Sequence, residues 1–190
     1  SADALVDAEQ ATWRILVEEL GREGETLVTW NELGPADRSA ARERFVREIL
    51  PVLTPLAVDP GHPFPFISSL SISLAIRLSD PERGEERFAR VKVPGNIGRV
   101  VRCGEGNLIL VEELIRANLD ALYPGLEVVD AHPFRVTRDA DIEVQEGEAD
   151  DLLSAIEEEL RRRRFGHVVR LELQPGVPDT VRAVLVAGLE

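Results

Sequence analysis

A strict alternation over residues 71–78 most constrains what this chain can fold into. In that stretch Ile72, Leu74, Ile76 and Leu78 occupy every second position. Successive side chains of a β-strand point to opposite faces of a sheet, so these four residues would share one face. The pattern therefore predicts a half-buried strand, and with it a sheet.

The other predicted strands cluster in the middle of the chain, and the predicted helices do not alternate with them regularly. Strands are predicted over 88–93, 99–103, 126–131, 134–138 and 167–173, with further candidates at 107–110 and 141–144. Helices are predicted over 4–20, 35–50, 111–122, 148–164 and 179–187. This order favours an α+β fold, a mixed or antiparallel sheet with helices packed on it and preceded by one N-terminal helix.

Three segments carry specific expectations. The first helix has an apolar stripe made of Leu5, Ala8, Thr12, Ile15, Leu16 and Leu20. The last strand should point Val169, Leu171 and Leu173 inward. The stretch 51–66 contains five prolines and no regular period, which predicts an ordered loop of extended segments.

The charge balance excludes one broad class of function. The 190 residues include 22 Lys and Arg against 35 Asp and Glu, a net charge of −13. A surface this acidic repels polyanions at long range, so we do not expect a free-standing nucleic-acid-binding protein. Lys92 is the one lysine, and the many arginines still suit a local carboxylate or phosphate site.

Cysteine use and hydropathy predict the compartment. Cys103 is the one cysteine, so no intramolecular disulfide can form and a reducing environment is favoured. No apolar run approaches the ~20 residues that span a bilayer, and no signal sequence opens the chain. We therefore expect a cytoplasmic protein without a transmembrane segment. Because the chain has no methionine, we also expect a piece of a longer protein or a processed one.

Four consecutive arginines at 161–164 form the first candidate phosphate-binding motif. Successive helical residues point about 100° apart, so the four side chains cannot make one flat patch. Glu157, Glu158 and Glu159 precede the first three by four residues, the favourable order for helical ion pairs. We interpret the run as a solvated helix end in which Arg164 has no acidic partner four residues before it.

An acidic stretch at 139–159 holds ten carboxylates and no Lys or Arg. Asp139, Asp141 and Glu143 alternate, so on a strand they would share a face that could hold Mg²⁺. Val144 stands where an EF-hand loop requires glycine, which excludes that motif. We favour a polar outer face and an acid-rich helix start, with the metal site as the alternative.

The residues by themselves name no catalytic centre. His62, His132 and His167 have no partner at a metal-ligand spacing. The loop 94–98 lacks the lysine and the glycine spacing of a phosphate-cradling loop, so a turn is predicted there. Cys103 has no neighbouring base in the sequence, and no G-x-S-x-G motif exists for a serine nucleophile.

Four segments together closely resemble bacterial polyphosphate kinases, in the order of that family. They are FVREILPVLTPLAVDPGHPFPFISSLSISLAI (45–76), LILVEELIRANLDALYPG (108–125), AHPFRVTRDADIEV (131–144) and EEELRRRRFGHVVRLEL (157–173). The region resembled is the middle, or head, domain, which would comprise residues 24–190. Residues 1–23 resemble the last helix of the helical N-terminal domain that precedes it.

The resemblance implies a function for the whole enzyme and a narrower one for this part. The family reversibly transfers the terminal phosphate of ATP to inorganic polyphosphate, with Mg²⁺ and through a phosphohistidine. That histidine and its companion belong to C-terminal domains expected to lie outside this chain, and none of the three histidines here matches its motif. The resemblance thus implies no catalytic residue, no ATP or Mg²⁺ bound to this fragment, and no activity of the fragment by itself.

The same resemblance implies partners. The remaining domains of the kinase, and a second copy in a homodimer, would contact this region, which would also help to frame the active-site tunnel.

Arg135 and Arg138 stand three apart in an extended stretch, so they should project to opposite faces. One could pair with Asp139 or Asp141 and the other contact polyphosphate, for which Arg164 is the third candidate.

Two rival functions stay open. The chain could be a free-standing module that binds polyphosphate or another anion, or that binds a protein, without catalysis. It could also be a self-contained enzyme that uses Asp139, Asp141 and Glu143 with a metal ion.

Overall fold

A computed structural model of the chain describes residues 2–58, 64–139 and 166–189. In chain order its elements are α1 (Ala2–Arg22), β1 (Thr26–Leu27), α2 (Pro35–Arg44), β2 (Pro55–Val58), β3 (Ile72–Asp80), β4 (Glu85–Lys92), β5 (Val100–Cys103), β6 (Asn107–Leu110), α3 (Val111–Ala117), α4 (Leu119–Leu122), β7 (Glu127–Arg138), β8 (Val168–Leu173) and α5 (Asp179–Leu189). These elements form two compact units, Ser1–Leu53 with Pro94–Pro124 and Thr54–Val93 with Gly125–Glu190.

The α+β fold class predicted from the sequence is confirmed. The first unit contains a three-stranded mixed sheet in the order β1-β6-β5, where β1 runs parallel to β6 and β5 antiparallel to it. The second unit contains a five-stranded antiparallel sheet in the order β2-β4-β3-β7-β8. Helices accompany both sheets, and the N-terminal helix α1 comes first.

In the first unit, α2 begins at Pro35, whose fixed φ suits the first turn of a helix. The helix continues through a wider π-helical turn, and Ala41, Phe45 and Ile49 are buried. The helix predicted over 111–122 is interrupted at Asn118, where φ is −123°. The buried Asn118 amide donates to the Leu114 carbonyl, so a side chain takes the place of regular helical bonding there.

The apolar stripe of α1 is exposed in the structure. Leu5, Ile15 and Leu16 lie on it, and Leu5 is 75% exposed. Trp13, on the same helix, is also exposed. The assignment of residues 1–23 to a preceding domain stays a prediction.

The second unit corrects the prediction of a half-buried strand at 71–78. Ser73 and Ala75, on the face opposite Leu74 and Ile76, are also fully buried. Ala75 belongs to a core cluster that includes Ile67 and residues of α5. The small side chains of the second face leave room for α5 and the segment before β3 to cover it, so β3 is buried on both faces.

Three further expectations in this unit need correction. The predicted strands 126–131 and 134–138 form one strand, β7, in which Pro133 lies opposite Leu74. The proline-rich stretch contains a strand, β2, which pairs with β4 at the sheet edge. Val169 is exposed because β8 carries a bulge, with Thr137 opposite Arg170 but Arg138 opposite Val168. The predicted elements at 141–144 and 148–164 lie outside the described residues.

Candidate functional site

Arg135, the first of the three predicted phosphate contacts, is part of a two-pronged ion pair. Its Nε lies 2.7 Å from Oε2 of Glu172, and its Nη2 lies 2.9 Å from Oε1. The strand register places the two residues directly opposite each other on β7 and β8. Arg135 holds the pKa of the Glu172 carboxyl below its ordinary value. Pairing with Glu172 is therefore the contact that the structure describes for Arg135, and the pairing with Asp139 or Asp141 stays a prediction.

Arg138, the second predicted contact, is held by neutral groups. Its Nε donates to the Ile67 carbonyl at 2.8 Å and its Nη1 to the Gly166 carbonyl at 2.7 Å. Its guanidinium lies 4.3 Å from the centre of the Phe66 ring. Partial burial lowers its pKa, because desolvation disfavours the charged form. Among the described residues, no carboxylate forms an ion pair with Arg138. Arg164, the third candidate, lies outside those residues and stays a prediction.

Two cations that the sequence analysis did not single out lie on β4 of the same sheet. Arg90 is 5% exposed, and its Nε and Nη2 donate to the Ser73 hydroxyl at 3.2 and 3.0 Å. Lys92, two residues later, has its Nζ 3.4 Å from the Ser68 hydroxyl. Burial lowers the pKa of Arg90 as well. The available signal was the alternation of Arg90 and Lys92 with Ala89 and Val91, which points both cations to one face.

The segment 66–71 contacts both Lys92 and Arg138, and Arg90 lies two residues before Lys92 on β4. The Ser68 hydroxyl contacts Lys92, and the Ile67 carbonyl accepts from the Arg138 side chain. The Ser69 hydroxyl accepts from the Arg138 backbone N–H at 3.0 Å. We call Arg90, Lys92 and Arg138 the cation cluster.

The turn that ends this segment is strained. Leu70 has a φ of +59°, in the left-handed region that costs an L-residue about 1–2 kcal/mol. Its backbone N–H donates to the Val136 carbonyl at 2.8 Å, which holds the turn against β7. Ser71 closes the turn through hydrogen bonds to the Ser68 carbonyl. Strained backbone of this kind is concentrated at binding and catalytic sites.

Most other arginines of the described chain lie against carboxylates. Examples are the pairs Arg42–Asp120, Arg77–Asp130, Arg87–Asp80, Arg99–Glu112, Arg102–Glu25 and Arg116–Glu113. The members of the cation cluster differ, because their contacts in the described chain are hydroxyls, carbonyls and an aromatic ring. In a chain with a net charge of −13, positive charge that contacts no carboxylate among the described residues indicates a site for an anion.

The histidines and the cysteine do not form a reactive group in the described part of the chain. His132 Nε2 is buried and lies 3.5 Å from Asp130, whose carboxylate already accepts from Arg77. His167 is exposed and contributes its carbonyl to a hydrogen bond from the Asp139 backbone. Cys103 is buried, and burial raises the pKa of its thiol. His62 lies outside the described residues.

Residues 2–58, 64–139 and 166–189 include no group of three or more metal-ligating side chains. The predicted set of Asp139, Asp141 and Glu143 falls mostly outside those residues and is not tested by them. The loop 94–98 forms the predicted turn. Of the helices that the structure describes, none combines the length and the apolar character that crossing a bilayer requires.

Known proteins that are similar to this chain identify its family. The sequence profile of the polyphosphate kinase middle domain matches residues 36–190. The polyphosphate kinase of Mycobacterium marinum is 48% identical over 182 residues, and that of Thermosynechococcus vestitus is 47% identical over 180. In both cases the match covers 90% of this chain and 25% of the relative, so the chain spans about a quarter of the length of these proteins.

A solved structure shares the fold. The crystal structure of polyphosphate kinase from Porphyromonas gingivalis matches 98% of this chain with a TM-score of 0.74 and 24% sequence identity. The match covers 27% of that protein. At this identity the structural likeness supports the fold, while the profile and the closer relatives support the family. The chain belongs to the polyphosphate kinase family and contains its middle domain.

Proposed function

We propose that this chain is the middle part of an enzyme that reversibly transfers the terminal phosphate of ATP to inorganic polyphosphate. The family membership supports the reaction, since the relatives it matches are named polyphosphate kinases. The cation cluster is the observation that carries the role of this part. Its three positive charges are oriented by neutral oxygens and so remain available to a phosphate chain. This part therefore guides polyphosphate, while other parts of the protein carry out the transfer.

A scaffolding role accompanies the guiding role. In this proposal the middle domain helps to frame the tunnel that polyphosphate follows, contacts the remaining domains of the enzyme and contributes to a homodimer. The exposed Leu5, Trp13, Ile15 and Leu16 of α1 support the role, because large apolar side chains exposed on one helix suit an interface. The cytoplasm stays the predicted compartment of the enzyme.

Mg²⁺ and ATP belong to the proposed reaction of the full enzyme. Among the described residues, no three carboxylate, histidine or cysteine side chains converge. We therefore derive no step through the metal in this chain. The chemistry that Mg²⁺ supplies, neutralising phosphate oxygens during transfer, is assigned to the rest of the enzyme.

The cation cluster also favours a second candidate function, a polyphosphate-binding module without catalysis. The experiment that separates the two compares a full-length protein that contains this chain with the 190-residue chain itself. Each is incubated with ATP, Mg²⁺ and a polyphosphate primer, and formation of ADP and of longer polyphosphate is measured.

We expect both products from the longer protein and neither from the 190-residue chain. Transfer by the 190-residue chain would contradict the proposed division of labour. Absence of transfer by both proteins would contradict the kinase and favour the binding module.

A further inference from the structure

We propose that Arg90, Lys92 and Arg138 form a binding site for linear condensed phosphate on the antiparallel sheet of the second unit. The proposal rests on the proposed function, which it deepens by assigning residues to the phosphate contact. It concerns binding alone, so it requires neither a nucleophile nor a metal ion in this chain.

The first argument is that the charges are preorganised. Arg138 is fixed at two points by the Ile67 and Gly166 carbonyls, and Arg90 at two points by the Ser73 hydroxyl. A carbonyl or hydroxyl orients a guanidinium without neutralising it, whereas a carboxylate partner would cancel the charge. An anion that binds here would not have to displace a carboxylate first, and it would lose little entropy in ordering the side chains.

The second argument is that donors remain. The Nη2 of Arg138 donates no hydrogen bond to the described residues, and the Nη1 of Arg90 donates none either. Lys92 has one contact, at 3.4 Å, for an ammonium group with three donors. The hydroxyls of Ser68 and Ser69 lie beside these groups and can donate in addition.

The third argument concerns position. Arg90 and Lys92 are two residues apart on one face of β4, so their side chains project from points about 7 Å apart. Lys92 and Arg138 contact neighbouring residues of one short segment: Lys92 contacts Ser68, and Arg138 contacts Ile67 and Ser69. Arg90 therefore adjoins Lys92 along β4, and Lys92 adjoins Arg138 through the segment 66–71, an order that forms a row and not a ring. A row of cations suits a chain of phosphates better than a single orthophosphate.

Other anions fit less well. A nucleic acid would present bases for stacking, but the Phe66 ring that could stack on a base is already in contact with the Arg138 guanidinium. A nucleotide would offer the same triphosphate chemistry, but the described contacts of the cluster include no group placed to recognise a base. Inorganic tripolyphosphate is therefore the probe for the site, and ATP, AMP and single-stranded DNA are the comparison ligands.

The single lysine makes a direct test possible. Reductive ¹³C-dimethylation of the 190-residue chain keeps the charge of Lys92 and gives one lysine resonance, separate from that of the terminal amine. Titration with inorganic tripolyphosphate should shift this resonance saturably. In Arg138→Gln the titration should need about tenfold more ligand, the loss typical of one charge-assisted contact. Arg87→Gln, which removes a cation from the same strand but one paired with Asp80, should titrate like the wild type.

A second variant keeps the proposal testable if Arg138→Gln does not fold. Lys92→Gln removes an exposed side chain with one long contact, so its circular dichroism should match that of the wild type. Calorimetry should show tripolyphosphate affinity reduced about tenfold in Lys92→Gln and unchanged in Arg87→Gln. Equal effects of the two variants, or a Lys92 resonance that does not move in excess tripolyphosphate, would overturn the proposal.

The comparison ligands decide the ligand class. A shift with tripolyphosphate that is weaker with ATP and absent with AMP and single-stranded DNA supports the proposal. A shift with ATP and AMP but not with tripolyphosphate assigns the site to a nucleotide and overturns it. The kinase assay above is independent of this result: transfer without tripolyphosphate binding by the chain contradicts only the site, and binding without transfer contradicts only the kinase.

Discussion

The Nε of Arg138 lies 2.8 Å from the carbonyl oxygen of Ile67, which ties the last residue of β7 to a fully buried residue 71 positions earlier. Ile67 packs in the core cluster with Phe134 and Val136, so the backbone that orients the Arg138 guanidinium is itself held by the core. The position of a surface cation is thus set by packing beneath it. Substitutions at either end should reveal this coupling.

Arg138→Lys should destabilise the second unit although it keeps the charge. A lysine carries its donors on one nitrogen, so it does not reproduce the separate Nε and Nη1 contacts of the guanidinium with the Ile67 and Gly166 carbonyls. One carbonyl left without a partner costs about 1–3 kcal/mol, so we expect the free energy of unfolding in urea to fall by about that amount. Arg87→Lys, at an exposed pair, should change it by less than about 0.5 kcal/mol. Equal losses in the two variants would contradict the coupling.

Glu172→Gln should make the free energy of unfolding depend less on pH in the acid range. Arg135 lowers the pKa of Glu172 in the folded state below its ordinary value of 4.5. A carboxyl with a lowered folded pKa contributes stability that is fully present above the unfolded value and is lost as the pH falls through the folded value. The wild type should therefore lose stability below about pH 4.5 more steeply than the variant, because glutamine does not titrate.

The measurement is urea unfolding followed by circular dichroism from about pH 7 to about pH 3. Glu85→Gln is the matched control, since Glu85 is exposed and its nearest cation, Arg87, lies 3.7 Å away. In the control, the free energy of unfolding should fall with decreasing pH as steeply as in the wild type. If it falls as steeply in Glu172→Gln too, the ion pair with Arg135 contributes nothing to stability in acid.

The predictions from sequence succeeded where the pattern is local. Alternation identified β3, and apolar spacing with a starting Pro35 identified α2. The partners of Arg138 could not be predicted in this way, because Ile67 and Gly166 are 71 and 28 residues away in the chain. Which cations lack carboxylates is likewise decided by strand pairing and by the path of segment 66–71.

The errors have the same physical origin. In VVRLEL, alternation with Leu171 and Leu173 predicts that Val169 points inward, but the bulge between β7 and β8 places Val168 inward instead. The prediction of a half-buried strand at 71–78 left the face of Ser73 and Ala75 uncovered. In the structure Ala75 packs with Ile67 and residues of α5, an arrangement that no local pattern describes.

Gly188→Ala should disturb the packing of α5. A Cβ at Gly188 would lie 2.2 Å from a ring atom of Phe64, so either the ring or the helix must move. Overpacking of this kind costs about 1–3 kcal/mol, which should appear as a lower midpoint of thermal unfolding. Gly21→Ala is the control, because a Cβ there meets no atom within 4 Å and alanine favours a helix by about 1 kcal/mol. Stabilisation by both substitutions would show that Phe64 yields without cost.

Leu70→Gly should stabilise the second unit even though it removes a large side chain. Leu70 has a φ of +59°, where glycine avoids a strain of about 1–2 kcal/mol, and its side chain is 64% exposed, so little packing is lost. We expect a gain of about 1 kcal/mol in urea unfolding. Leu70→Ala removes the same apolar surface but keeps the Cβ, so it should bring no gain. If both variants lose stability equally, the exposed side chain and not the backbone decides the energy of the turn. If only glycine gains, the turn that carries Ser68 and Ser69 is held in a strained conformation by its hydrogen bonds to β7 and to itself.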